Sequence, residues 1–290
     1  MAQKSKQSDR NASSSIRQTW FDKLSNKKKD IVCVFALYAL VLLLFGKIIF
    51  NNMIFADSGD TAAAQAVAEA AQHINSTEQV EALWIPYIFS GMPIFATLML
   101  PRDVNFLQMI FSFAGKLLFF NCDFYWIVLH FFLMGVFMYL LARQLEFTHL
   151  PSLLAAITVM LNPYFIGLAQ GGHGSKLVTL SYIPLMLLLT INLFRRRDLL
   201  SFGMLGAVIG TMFLSRHPQI AFYGMLMAGC YLIYESILDL KTQPASVVKR
   251  GILFVFAIAI GFAIYSYEFF PAYEYSNYSI RGGSETGVSK

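Results

Sequence analysis

From Ile31 to Phe50 the chain runs for about twenty residues with almost no charge, the length an α-helix needs to cross the ~30 Å hydrocarbon core of a bilayer. Similar runs recur at Phe124 to Leu141, Leu153 to Leu168, Leu177 to Phe194, Leu199 to Leu214, Ile220 to Leu238 and Ile252 to Phe270. A soluble core cannot hide so many apolar segments. The composition agrees, with 57% hydrophobic and only 13% charged residues and a mean hydropathy of +0.56. The reading is an all-α, polytopic membrane protein with about seven transmembrane helices, residues 31–290 forming the membrane domain behind a cytosolic basic tail at 1–30. That tail ends in Lys27-Lys28-Lys29-Asp30, and the following run is long enough to span, so it reads as an uncleaved anchor.

The net charge of +5 calls for no nucleic acid, because the basic residues follow the positive-inside pattern. With the N-terminus in the cytosol, fifteen Lys and Arg fall in inner segments, among them Arg143, Arg195 to Arg197, Lys241, Lys249 and Arg250, against six outside. The three cysteines lack metal-ligand spacing, and no disulfide is expected. His130 reads as a lone polar residue packed inside the bundle.

Between the first two spans lies a long first outer loop, residues 51–122. It carries Phe55-Ala56-Asp57-Ser58-Gly59-Asp60, an alanine-rich helix from Thr61 to Ile74, a further short element opening at Asn75-Ser76-Thr77-Glu78, and an apolar stretch punctuated by Pro86, Gly91, Pro93 and Pro101. Each proline removes a backbone donor that lipid cannot replace, so an interfacial or re-entrant arrangement is expected. In Val104 to Phe120, Gln108, Ser112 and Lys116 share one helix face, which favours a helix lying in the interface. Asp57 and Asp60 can be read as capping and solvation at a helix start, or as carboxylates that take a proton or hold a divalent cation.

On this topology several other polar residues gather just outside the same leaflet. Gln170-Gly171-Gly172-His173-Gly174-Ser175-Lys176 follows a kink at Asn162-Pro163, and Ser215-Arg216-His217-Pro218-Gln219 forms the next outer turn. The glycines fit a tight turn or a site, and Arg216 fits headgroup contact or ligand binding. After the last span, tyrosines surround Glu268, Glu274 and Arg281, either as an interfacial belt or as a surface for stacking on a sugar.

Asp57-Ser58-Gly59-Asp60, the Trp84 to Pro93 segment, Gly171 to Lys176, His217-Pro218-Gln219 and Tyr278 to Gly283 together resemble the N-terminal part of bacterial YfhO-type membrane proteins, from about residue 31 to 290. Those are similar to GT-C glycosyltransferases, which take a sugar from a polyprenyl-phosphate carrier at the extracytoplasmic face. The resemblance implies a bacterial plasma-membrane enzyme serving a cell-envelope acceptor, with Asp57 or Asp60 as catalytic base, or as ligands of a divalent metal such as Mg or Mn if the reaction is metal-dependent. It also implies that the present chain is a fragment of a longer one. From charge and placement, His173, Lys176, Arg216, His217, Gln219, Glu274 and Arg281 are the candidates for carrier-phosphate or substrate binding. A transporter or flippase of a lipid-linked or anionic solute and a non-catalytic membrane scaffold are the alternative functions.

Overall fold

The computed structural model describes residues 19–51, 53–55, 59–87, 90–94, 106–195 and 199–278. Among them are the helices α1 (Asn26–Leu44), α2 (Gly46–Asn51), α3 (Gly59–Glu78), α4 (Phe106–Leu118), α5 (Tyr125–Gln144), α6 (His149–Met160), α7 (Pro163–Gln170), α8 (Gly174–Ser181), α9 (Ile183–Arg195), α10 (Leu199–Leu214), α11 (Pro218–Asp239) and α12 (Pro244–Ser276). The one sheet among these residues is an antiparallel pair, β1 (Trp84–Ile85) with β2 (Met92–Pro93).

Five helical stretches are long and apolar enough to cross a membrane: α5, α6 with α7, α8 with α9, α11 and α12. The first apolar run is interrupted at Phe45 into α1 and α2, and α10 is a shorter apolar helix. Local chemistry explains most of the breaks. Asn162 accepts a hydrogen bond from the Tyr164 backbone N–H at 2.9 Å and Pro163 opens α7, so the expected kink is a cap and restart. Pro218 and Pro244 likewise stand at helix starts, where a missing N–H costs nothing.

The core centres on α5, whose Val128, Leu129, Phe131 and Met134 are buried among α1, α6, α8 and α9. Side chains sort in a way that suits lipid. On α4, Gln108 and Ser112 turn into the bundle, where Gln108 Oε1 accepts from the Tyr182 hydroxyl at 2.8 Å and Ser112 Oγ pairs with the Tyr125 hydroxyl at 2.7 Å. Phe106, Met109, Ile110, Phe113 and Leu117 of the same helix stand exposed. A water-bathed helix would do the opposite. The polar face of α4 is therefore a bundle contact, and the apolar face is the one left for lipid. This chain of contacts also reaches His130, whose Nδ1 lies 2.6 Å from the Trp126 carbonyl and whose Nε2 lies 3.4 Å from the Tyr182 hydroxyl. His130 is thus buried as expected but not alone.

A small satellite cluster stands apart from this core, with Val67 and Ala71 of α3 packed over Ala82, Ile85 and Ile94 around the sheet. The helix continues unbroken through Asn75 to Glu78, with no separate element there; Asn75 Oδ1 instead accepts from the Ala82 N–H at 2.6 Å and fixes the exit. Gly91, at φ 113°, lies where a Cβ would come within 2.3 Å of the Trp84 ring, so only glycine closes this hairpin.

Polar groups at the two ends of the bundle differ. At one end, Asp30 accepts from the Tyr139 hydroxyl at 2.7 Å and from Arg143 Nε at 3.1 Å, and Arg195 Nη1 donates to the Gln144 carbonyl at 2.7 Å. At the same end Arg250 binds Asp239 at 2.6 Å and lies over the Phe194 ring. The opposite end holds the turns between α7 and α8 and between α10 and α11.

Candidate anion-binding site

His173 is the N-cap of α8, its backbone N–H donating to the Leu168 carbonyl at 2.8 Å across the left-handed Gly172. Gly174, Ser175 and Lys176 are therefore the first helical turn, and not a loop. Gly174 permits this: its Cβ would come within 2.3 Å of the Trp126 ring, so the helix start rests directly on an α5 indole. His217 is the N-cap of α11, and neither His173 nor His217 makes a side-chain cap bond.

The two helix starts are tied together. Ser175 Oγ lies 2.8 Å from His217 Nε2, and Thr179 Oγ1 donates to the Ser175 carbonyl at 3.0 Å and toward the Ser215 carbonyl at 3.5 Å. Helix starts carry the positive end of the helix dipole, which favours an anion, although α11 opens with Pro218 and so lacks the first N–H that α8 has at Gly174. Here two such ends meet beside Lys176, Arg216 and His217.

Burial lowers the His217 pKa from 6.5, and the charges of Lys176 and His173 lower it further. The imidazole is therefore neutral at neutral pH. Burial also lowers the pKa of Arg216, while the carboxylate of Glu268 acts in the opposite direction. A guanidinium remains a cation under such opposing pressures. Its backbone sits at φ 71°, strained for a bulky residue, and Nη2 is buried with no hydrogen-bond partner among the described residues.

Four sequence candidates, His173, Lys176, Arg216 and His217, therefore come together. Gln219 does not join them: its Nε2 donates to the Tyr223 hydroxyl at 2.8 Å along the exposed side of α11. Glu274 is exposed beyond Pro271 near the end of α12, whereas Glu268, buried on that helix, acts on Arg216. In the sequence Glu268 stands among tyrosines; its action on Arg216 comes from the packing of α10 on α12.

Asp57 and Arg281 lie outside the described residues. Asp60 is the second residue of α3, which begins at Gly59. Phe55, just before this stretch, packs edge-on against Phe124 at 5.8 Å, close to Trp126 in sequence, and so lies at the same end as the cluster. Among the described residues no group of three His, Cys, Asp or Glu side chains is placed to hold a metal ion. No family model, curated protein or solved structure matches the chain.

Proposed function

We propose that this chain holds the carrier-binding site of a membrane glycosyltransferase of GT-C type, moving a sugar from a polyprenyl-phosphate carrier to an envelope acceptor at the outer face of a bacterial plasma membrane. The observation that carries the reading is the meeting of two helix starts with Lys176, Arg216, His173 and His217 at one end of an apolar helical bundle. That arrangement suits a phosphate whose hydrophobic tail stays in the membrane.

In the transfer, the acceptor hydroxyl oxygen bonds to the anomeric carbon and the bond from that carbon to the phosphate oxygen breaks. The electron pair stays on the phosphate, where Arg216, Lys176 and the helix starts stabilise it. The acceptor proton goes to an aspartate, Asp57 in preference to Asp60 because Asp60 is part of a helix turn. Asp57→Asn should abolish transfer while carrier binding persists. Retained turnover would remove Asp57 from the role of base.

A transporter or flippase is the second reading, favoured by the buried polar chain from His130 through Tyr182 to Gln108 inside the bundle. Movement of carrier lipid across reconstituted vesicles without sugar transfer would select it.

A further inference from the structure

Helices α10 and α12 run in the same direction along a glycine seam. Gly206 faces Ile260, Gly210 faces Ile264, and Gly261 fits against Ile209, each so closely that an added Cβ would clash. Farther along, Phe213 stacks on Tyr265 with ring centroids 5.0 Å apart. Just past that pair stand Arg216, in the turn after α10, and Glu268 on α12, whose charge acts on Arg216.

Beside the basic side chains of Lys176 and Arg216 there is thus one buried acidic side chain, Glu268, which is only 7% exposed and acts on Arg216. The imidazoles of His173 and His217 complete the cluster. A buried carboxylate so near an anion site is a cost to anion binding unless its repulsion serves a purpose.

We propose that Glu268 sets the charge the site accepts, favouring a phosphodiester monoanion over a phosphomonoester dianion. The inference rests on the carrier reading above and gives it a direction. A sugar-loaded carrier is a phosphodiester with one negative charge, whereas the spent carrier is a phosphomonoester that gains a second charge above a pKa of about 6. Glu268 repels that second charge. The loaded carrier is held by Arg216 and Lys176, and the spent carrier is loosened as soon as the sugar has left.

The test is calorimetric titration of the chain in phosphatidylcholine nanodiscs at about pH 8, where a monoester carries both charges. The probes are a prenyl methyl phosphodiester, the matching prenyl phosphate, and the tail-free dimethyl phosphate and methyl phosphate. The unmodified chain should bind the prenyl diester about tenfold more tightly than the prenyl monoester, Glu268→Gln should erase that ratio, and Glu268→Asp should keep it. Because each ratio is internal to one protein, a partly misfolded variant does not distort it.

An unchanged ratio in Glu268→Gln overturns the inference and leaves the carrier reading standing. A Glu268-dependent ratio that the prenyl tail does not strengthen, or that phosphatidylglycerol competes away, supports charge selection by Glu268 and sinks the carrier reading. Failure of the unmodified chain to bind any of the four probes overturns both.

Discussion

Ser175 Oγ and His217 Nε2 meet at 2.8 Å across a separation of 42 residues, joining the start of α8 to the start of α11. The bond gives the cluster a defined shape before any ligand arrives. Ser175→Ala should cost about 1 kcal/mol of stability, the usual worth of such a hydrogen bond, and weaken prenyl phosphodiester binding several-fold. Differential scanning fluorimetry in detergent and the titration described above read the two effects separately.

The depressed pKa of His217 sets a pH dependence. The folded chain takes up this proton less readily than the unfolded chain, so protonation favours unfolding. The stabilising effect of the neutral imidazole is fully present above the unfolded value of 6.5 and is lost as pH falls through the lower folded value. His217→Gln should flatten the stability profile below pH 6.5 relative to the unmodified chain. Identical acid limbs in the two proteins would show that another group titrates.

Gly174 is a point of close approach, with the Trp126 ring occupying the space of a side chain. Gly174→Ala should destabilise by about 1–3 kcal/mol through overpacking, even though alanine is the better helix former. Trp126→Phe, which shortens the ring, should relieve part of that loss. A double-mutant cycle on thermal stability with no coupling between the two would contradict the contact.

Tyr182 links Gln108 to His130 with its single hydroxyl. Tyr182→Phe takes that donor from the part-buried Gln108 carbonyl oxygen and should cost about 1 kcal/mol. Adding Gln108→Leu to it should cost less than the sum of the two single changes, because the acceptor disappears together with its donor. If the two changes simply add, α4 is not held by this bond.

The apolar runs were legible because a span's length and texture are set by the membrane and not by its neighbours. Convergence of His173, Lys176, Arg216 and His217 could be read as far as their common side, since positive charge placement orients the loops. Side-chain direction was not legible. Gln108, Ser112 and Lys116 fall on one face in either solvent, and only packing shows that Gln108 and Ser112 point at tyrosines instead of water. The breaks at Phe45 and Tyr182 have local signals in Gly46 and Pro184, but the partnership of Arg216 with Glu268 depends on the packing of α10 on α12, which no local pattern spells out. The one local signal was the glycine spacing Gly206-xxx-Gly210, which marks a helix that a neighbour approaches closely without saying which neighbour.

That seam has a consequence for biogenesis. Since α12 lies alongside α10 in the same direction, α11 must be made and turned back before the glycines of α10 find their partner. At ~5–20 residues per second, the roughly fifty residues between Gly210 and Ile264 take several seconds to synthesise. Throughout that interval a short helix with a bare glycine face waits in the bilayer, and Arg216 waits without its carboxylate. Insertion of this protein should therefore depend on whatever shelters an unfinished helix beside the translocation channel, and it should be most vulnerable to arrest between the emergence of α10 and that of α12.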